Sequence, residues 1–210
     1  MPALRERARL AVVTAALSVL ALPGVRAADN AIATDTPEAT VASLQRGLIA
    51  ASEAHPGASV GDRYRALEPL IEQTHNLPYI AEFALRKQWS SLAESDRQRF
   101  VAVFEKLSVM TYASRFKNVT PRTFKNGAPG VVEAGRAHVL TAIARQAQPD
   151  VSLEYMLEQK DGAWRIINII ADGVSDLALK RAEYQRILTS GSIDDLIKEL
   201  ETQTARLQQP

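Results

Sequence analysis

The chain has 210 residues, 46% of them hydrophobic, a formal net charge of +1 and no cysteine. Disulfides, thiol chemistry and cysteine-ligated metal are thereby excluded, and a charge so near zero gives no electrostatic footprint for nucleic acid. A domain of about 150 residues buries roughly 70% of its unfolded surface, so the length suffices for an ordinary apolar core.

Arg5, Arg7 and Arg9 precede an uncharged run, LAVVTAALSVLAL (10–22), which Pro23 and Gly24 end. Val25-Arg26-Ala27 then places small residues at the −3 and −1 positions of a cleavage site. A basic segment, a short apolar segment and a small-residue site describe a secretory signal peptide over 1–27. The run is short of the about 20 residues that span a bilayer; an uncleaved anchor is the other use of such a segment. No Arg-Arg pair and no cysteine follow, so neither a twin-arginine signal nor a lipid-anchored cysteine is supported. Cleavage removes four arginines and one glutamate, lowering the net charge by three to −2. The expectation is an exported, periplasmic domain over 28–210, with a core from about 36 to 204.

Thr36-Pro37-Glu38 opens a first helix, with proline at its first position, and Val41, Leu44, Leu48 and Ile49 follow at helical spacing. HPGASVGD (55–62) breaks it. A second helix carries Tyr64, Leu67, Leu70 and Ile71 despite Pro69, and NLP (76–78) interrupts again. Ile80, Phe83, Ala84 and Lys87 suggest a short third helix. Ser91 and Glu94 have the spacing of a capping box. Behind it Phe100, Val103, Phe104, Leu107, Met110, Thr111 and Ser114 form one broad stripe that predicts a long helix ending near Asn118.

The period then changes. Residues 120–146, with glycine at 127, 130 and 135, read as turns and strands. Val151, Leu153, Tyr155 and Leu157 alternate with more polar residues, the pattern of a strand with one buried face. Lys160-Asp161-Gly162 marks a hairpin turn, and the strand from Trp164 to Ile170 is apolar on both sides except at Arg165 and Asn168. Two helices, 176–189 and 193–207, close the chain, the second behind a Ser192/Asp195 cap. Helices, then an antiparallel sheet, then helices, without β-α-β alternation, describe an α+β domain.

No catalytic set emerges. His55, His75 and His138 have no metal-binding spacing, and neither G-x-S-x-G nor S-x-x-K occurs. The turn in AWRIINIIADGVSDLALKR (163–181) offers Asp172, Ser175 and Asp176. Ser175 reads better as the cap of the helix beginning at Asp176 than as a nucleophile. Asp161-Gly162 reads as a hairpin tip, His138 as a partly exposed surface residue and Trp164 as core. Tyr112, Arg115 and Phe116, at the end of the long helix, offer an arginine and aromatics to a phosphate headgroup or simply meet solvent.

FVAVFEKLSVMTYASRF (100–116), YMLEQKDGAWRIINIIADGVSDLALKRAEYQRIL (155–188) and GSIDDLIKEL (191–200), in that order, resemble the MlaC/toluene-tolerance family of periplasmic lipid carriers. DGVSDLALKRAEYQ and LPYIAEFALRKQW are further similar to its hopanoid-associated HpnM branch. The resemblance implies helices packed on a curved antiparallel sheet that encloses an apolar pocket. It also implies a phospholipid or hopanoid-type lipid as cargo, inner- and outer-membrane lipid-transport complexes as partners, no cofactor and no catalysis. The expected lining is Phe83, Phe104, Leu107 and Tyr112 from helices, Leu153, Tyr155, Ile167 and Ile169 from strands, and Val174 and Leu177 beyond the turn. Arg115 is a candidate headgroup contact. Two other classes stay open on the residues alone. One is a small α+β enzyme using Asp172 or Asp176 as a base, which needs a sequestered carboxylate. The other is an interaction module with an exposed apolar patch.

Overall fold

The computed structural model describes residues 32–54, 57–127 and 131–209. The predicted signal peptide lies outside the described residues. Residues 31–210 form one compact unit.

Three helices come first: α1 (Pro37–Ala54), α2 (Val60–Thr74) and α3 (Leu77–Leu85). Pro37 stands at the start of α1 and is buried. Ser59 caps α2 by accepting the Asp62 N–H, and α2 runs through Pro69 without ending. The break between α2 and α3 is a docking point as well as a turn. His75 forms an isolated parallel bridge with Ile166, and the Asn76 N–H donates to the Ile166 carbonyl. Asn76 also caps α3 through Tyr79 and donates its side-chain amide to Glu158 at 2.7 Å. The chain is thus pinned to the sheet where it bends.

The capping box expected at Ser91 and Glu94 does not form. Arg86–Ser91 is a 3₁₀ turn, and the Ser91 hydroxyl donates back to the Gln88 carbonyl. The long helix α4 (Glu94–Arg115) begins two residues later, with Ala93 at its N-cap and no side-chain cap. Arg97 supplies the tie instead, donating to the carbonyls of Trp89 and Ser90 with its guanidinium over the Trp89 ring. A preceding turn that consumes the serine's hydroxyl removes it from capping duty, which spacing alone does not reveal. The third helix likewise stops at Leu85, and Lys87 is exposed in the 3₁₀ turn.

Six strands form one antiparallel sheet: β1 (Phe124–Asn126), β2 (Val131–Glu133), β3 (Arg136–Ile143), β4 (Val151–Lys160), β5 (Ala163–Ala171) and β6 (Val174–Ser175). The order is β1-β3-β4-β5-β6, and β2 pairs with the first half of β3. The hairpins joining β2–β3, β4–β5 and β5–β6 turn at Ala134-Gly135, Asp161-Gly162 and Asp172-Gly173. Both central φ angles are positive in each, as a two-residue type I′ hairpin requires. Between β4 and β5 the register jumps: Met156 faces Asn168 and Leu157 faces Ile166, leaving Ile167 as an extra residue. Such a bulge bends the strand and raises its twist. It also lets the consecutive residues Ile166 and Ile167 both be buried, the origin of the two-sided apolar pattern.

Two helices follow, α5 (Asp176–Ser190), which returns over the sheet, and α6 (Ile193–Gln208), which packs on α4 and α5. Ser192 and Asp195 form the expected reciprocal cap of α6. α4 packs against α2, α3 and α6, so its burial exceeds one stripe: Val109 and Ala113 are buried together with Phe100, Phe104 and Leu107. α1 lies on β3 and β5, and α5 lies on β5. Arg63 of α2, itself buried, donates from Nε to the Ala113 carbonyl at 2.7 Å and fixes the last turns of α4. The architecture is α+β, helices on an open antiparallel sheet.

Candidate functional site: an apolar cavity between helices and sheet

Between the helices and the sheet lies a cavity of about 670 Å³, within the several-hundred-Å³ range of small-molecule sites. The α2–α3 junction contributes His75, Leu77 and Ile80; α4 contributes Phe104, Leu107, Tyr112 and Arg115. The sheet supplies Leu153 and Tyr155 from β4 and Ile166, Ile167, Ile169 and Ala171 from β5. Val174, Leu177 and Leu179 border one side, and Arg206 and Leu207 stand at the end of α6.

Nine of the ten side chains expected to line a pocket meet around this space: Phe104, Leu107, Tyr112, Leu153, Tyr155, Ile167, Ile169, Val174 and Leu177. Arg115 borders it too. Phe83 does not. Its ring stacks on Tyr79 and lies beneath two guanidiniums, Arg86 at 5.4 Å and Arg181 at 5.5 Å. The helical spacing that put Phe83 on an apolar face is satisfied there by cations and a neighbouring ring instead of by the cavity. His75, Ile80, Phe116, Ile166, Arg206 and Leu207 line the space without having been singled out as lining. Phe116 had a signal, since it follows Tyr112 by one helical turn and stacks on it at 5.5 Å. For Arg206 and Leu207 no local signal exists, because only the packing of α6 brings them there.

The polar groups on the wall are largely committed to the protein. Ser108 and Thr111 donate to the carbonyls of Phe104 and Leu107 one turn back in α4. Asn168 Oδ1 accepts from the Ser175 hydroxyl and the Leu177 N–H, while its amide donates to the Met156 sulfur. His75 sits in a relay. Thr74 donates to the Leu70 carbonyl at 2.7 Å, which leaves its oxygen to accept from His75 Nδ1 at 3.0 Å. Nε2 then accepts from the Tyr112 hydroxyl at 2.9 Å. That arrangement uses the neutral Nδ1–H tautomer. Burial pulls the His75 pKa down to about 4 and pushes the Tyr112 phenol well above its usual range. Tyr155 is pushed up to about 12 for the same reason. Apart from Arg115 and Arg206 at its border, the cavity therefore presents mainly hydrocarbon and already-bonded polar groups to any occupant.

The turn after β5 is resolved as a cap. Ser175 accepts the Ala178 N–H and opens α5. Asp172 is exposed and accepts the Ser152 N–H at 2.8 Å; Asp176 is exposed and pairs with Lys180 at 2.6 Å. Neither is the sequestered carboxylate that a general base would require here. His138 is exposed and paired with Glu154 on the outer sheet face. Among the described residues no group of histidines and carboxylates could hold a metal ion, and no helix is long and apolar enough to cross a membrane. Among those residues the exposed large hydrophobics are Leu140, Val174 and Leu179. Two of these are on the lip of the cavity, so exposed apolar surface gathers at the opening and not on a broad face elsewhere.

The fold is similar to a solved structure of a phospholipid-binding protein from Ralstonia solanacearum in complex with a phospholipid. The TM-score is 0.71 at 20% identity, covering 81% of this chain and 98% of that one. Comparison with curated proteins finds no match. The model of the MlaC protein family matches residues 45–202, from the middle of α1 through most of α6, and includes all the lining residues except Gln203, Arg206 and Leu207. The chain belongs to the MlaC family.

Proposed function

We propose that this protein is a periplasmic lipid carrier that takes up a membrane lipid, encloses its hydrocarbon in the cavity and passes it between membranes without reacting with it. The observation that carries this reading is a large, mainly apolar cavity whose wall polar groups are mostly occupied internally and whose border exposes Val174 and Leu179. Membership of the MlaC family supports it, as does the phospholipid held by the Ralstonia solanacearum protein of the same fold.

The energetics fit such a task. Each methylene withdrawn from water contributes about 0.8 kcal/mol, so a lipid with about 30 of them carries roughly 20 kcal/mol of hydrophobic penalty. A soluble shuttle must offset nearly all of it while still letting go, which calls for a preformed dry cavity and few polar anchors. The cargo is a phospholipid or, by the likeness to the hopanoid-associated branch, a hopanoid-type lipid. Donor and acceptor are membrane-bound lipid-transport complexes, and the basic, apolar, small-residue segment at 1–27 directs export.

The test is purification from the periplasm without detergent, followed by native mass spectrometry and lipid extraction. One lipid per chain is expected, and its head or ring system identifies the branch. An apo mass that persists after lipid is offered in vitro overturns the carrier reading.

A further inference from the structure

Away from the cavity lining, α3 and α5 pack together, and their contact gathers aromatic rings and guanidiniums. Tyr79 and Phe83, one turn apart on α3, stack at 5.9 Å. Arg86, at the end of α3, and Arg181 of α5 both lie over the Phe83 ring, 5.4 and 5.5 Å from its centroid. The two guanidinium carbons therefore cannot be farther apart than the sum of those distances. Exposed Arg136 of β3 adds a third cation and donates to the Tyr79 hydroxyl at 3.4 Å. Neither Arg86 nor Arg181 borders the cavity.

Among the described residues none of these three arginines pairs with a carboxylate. Glu158, across the ladder from Arg136, is engaged by the Asn76 amide, and Glu82 of α3 is exposed without an ion pair. A ring face attracts a cation, which accounts for an arginine over Phe83 but supplies no counter-charge for two. Arg181 is half-buried, and its Nε is shut off from water without an acceptor among the described residues. Part of this charge is already desolvated and unanswered, the condition in which a polar group gains most from a partner. Arg86 also occupies an unfavourable backbone. Its φ of 48° and ψ of −112° match the first central position of a type II′ turn, where glycine is relaxed and a side chain is strained. Glycine would end α3 equally well, yet an arginine stands there.

We propose that Arg86, Arg181 and the Tyr79–Phe83 stack form a docking site for a partner protein, taking a segment with two closely spaced carboxylates, one for each guanidinium. A guanidinium fork matches a carboxylate, the ring holds both forks in place, and Arg136 extends the positive field. A bilayer is the poorer fit. Docking on lipid draws on exposed apolar side chains, and the large ones among the described residues are Leu140, Val174 and Leu179. Leu140 lies four residues along β3 from Arg136. Leu179 precedes Arg181 by two residues, about 200° around α5, and with Val174 borders the cavity instead. The site is separate from cargo binding and serves whichever lipid is carried.

The test is isothermal titration of the purified protein with a peptide of alternating glutamate and glycine, and with its glutamine counterpart, at constant low ionic strength. Exposed charge pairs are screened by solvent, so a preference of about tenfold for the glutamate peptide is expected. Arg86→Gln/Arg181→Gln should abolish it. Lys117→Gln/Arg122→Gln, which removes the same charge from exposed positions elsewhere, should leave it intact. Equal affinity for the two peptides, or an equal loss in both double variants, overturns the inference. Arg86→Gly separates docking from folding: it should weaken the glutamate peptide about threefold while melting at or above the wild-type temperature, because glycine relaxes the turn. A lower melting temperature with peptide affinity intact would make Arg86 a structural residue and overturn the assignment. So would phosphatidylglycerol vesicles that bind wild type but not the Arg86→Gln/Arg181→Gln variant while neither peptide binds, since the surface would then be a membrane contact.

Discussion

His75 Nε2 and the Tyr112 hydroxyl meet at 2.9 Å across the junction of α2–α3 with α4, on the wall of the cavity. The imidazole is thereby held neutral inside an apolar space, with Thr74 on its other nitrogen. Because the folded pKa of about 4 lies below the ordinary 6.5, the unfolded chain binds more protons between those values. The stability this group contributes is complete above about pH 6.5 and is lost as pH falls toward 4. The interval corresponds to at most about 3 kcal/mol. Asp176 and the Ile71 carbonyl oppose the depression, and Lys180 adds to it. Urea unfolding at about pH 7.5 and about pH 4.5 should show the loss in wild type and a smaller one in His75→Gln. Tyr112→Phe leaves Nε2 without its donor and should cost about 1–2 kcal/mol at neutral pH.

Narrowing the cavity separates a binding space from an ordinary core. Ile169 borders the space and is only partly buried. Ile169→Trp should abolish bound lipid while leaving the melting temperature unchanged or higher, since the ring fills a void. If the space were tightly packed core, the same change would cost about 1–3 kcal/mol in overpacking. Lipid stoichiometry by native mass spectrometry and melting by calorimetry, measured together, decide it.

Val174 is exposed by 52% on the lip, and Leu179 by 59%. Changing both to serine should alter stability by less than about 0.5 kcal/mol, the usual range for surface sites. Transfer of lipid to acceptor vesicles should nevertheless slow, because the apolar lip covers the hydrocarbon as it crosses. An unchanged transfer rate would place the route of entry elsewhere.

Gly47 of α1 packs against Leu70 of α2. A β-carbon there would collide with the end of the Leu70 side chain. Gly47→Ala gains helix propensity yet forces the Leu70 side chain aside, and a net destabilisation of about 1–2 kcal/mol is expected in urea unfolding. Leu70→Ala in the same chain should make room for the methyl group and reduce that increment.

The displaced helix start makes a contrast of two variants. Ser91→Ala should change stability by less than about 0.5 kcal/mol, because the hydroxyl serves a 3₁₀ turn and no helix cap. Ser175→Ala should cost about 1 kcal/mol, since that hydroxyl both caps α5 and donates to Asn168. Thermal unfolding of the two variants side by side checks the order.

Much of this molecule is local in origin and therefore legible in its residues. Helical spacing marks α1, α2, α4 and α6; the Asp161-Gly162 turn and the alternation along β4 mark a hairpin; Ser175 and Ser192 mark caps by chemistry confined to three or four residues. An apolar residue has no such signature for what it faces. Phe83 and Phe104 both occupy apolar helix faces, yet one lies under two arginines and the other lines the cavity. Burial of hydrocarbon is rewarded almost equally against a packed neighbour, an arginine stem or a void awaiting a ligand. Likewise Arg115 and Arg206 are 91 positions apart in the chain, and only the packing of α4 against α6 brings both to the border of one cavity. The sequence by itself determined the α+β succession, the turns and the absence of a recognised catalytic motif. The tertiary structure alone decided which faces leave a space between them, because a cavity is a property of elements that fail to touch.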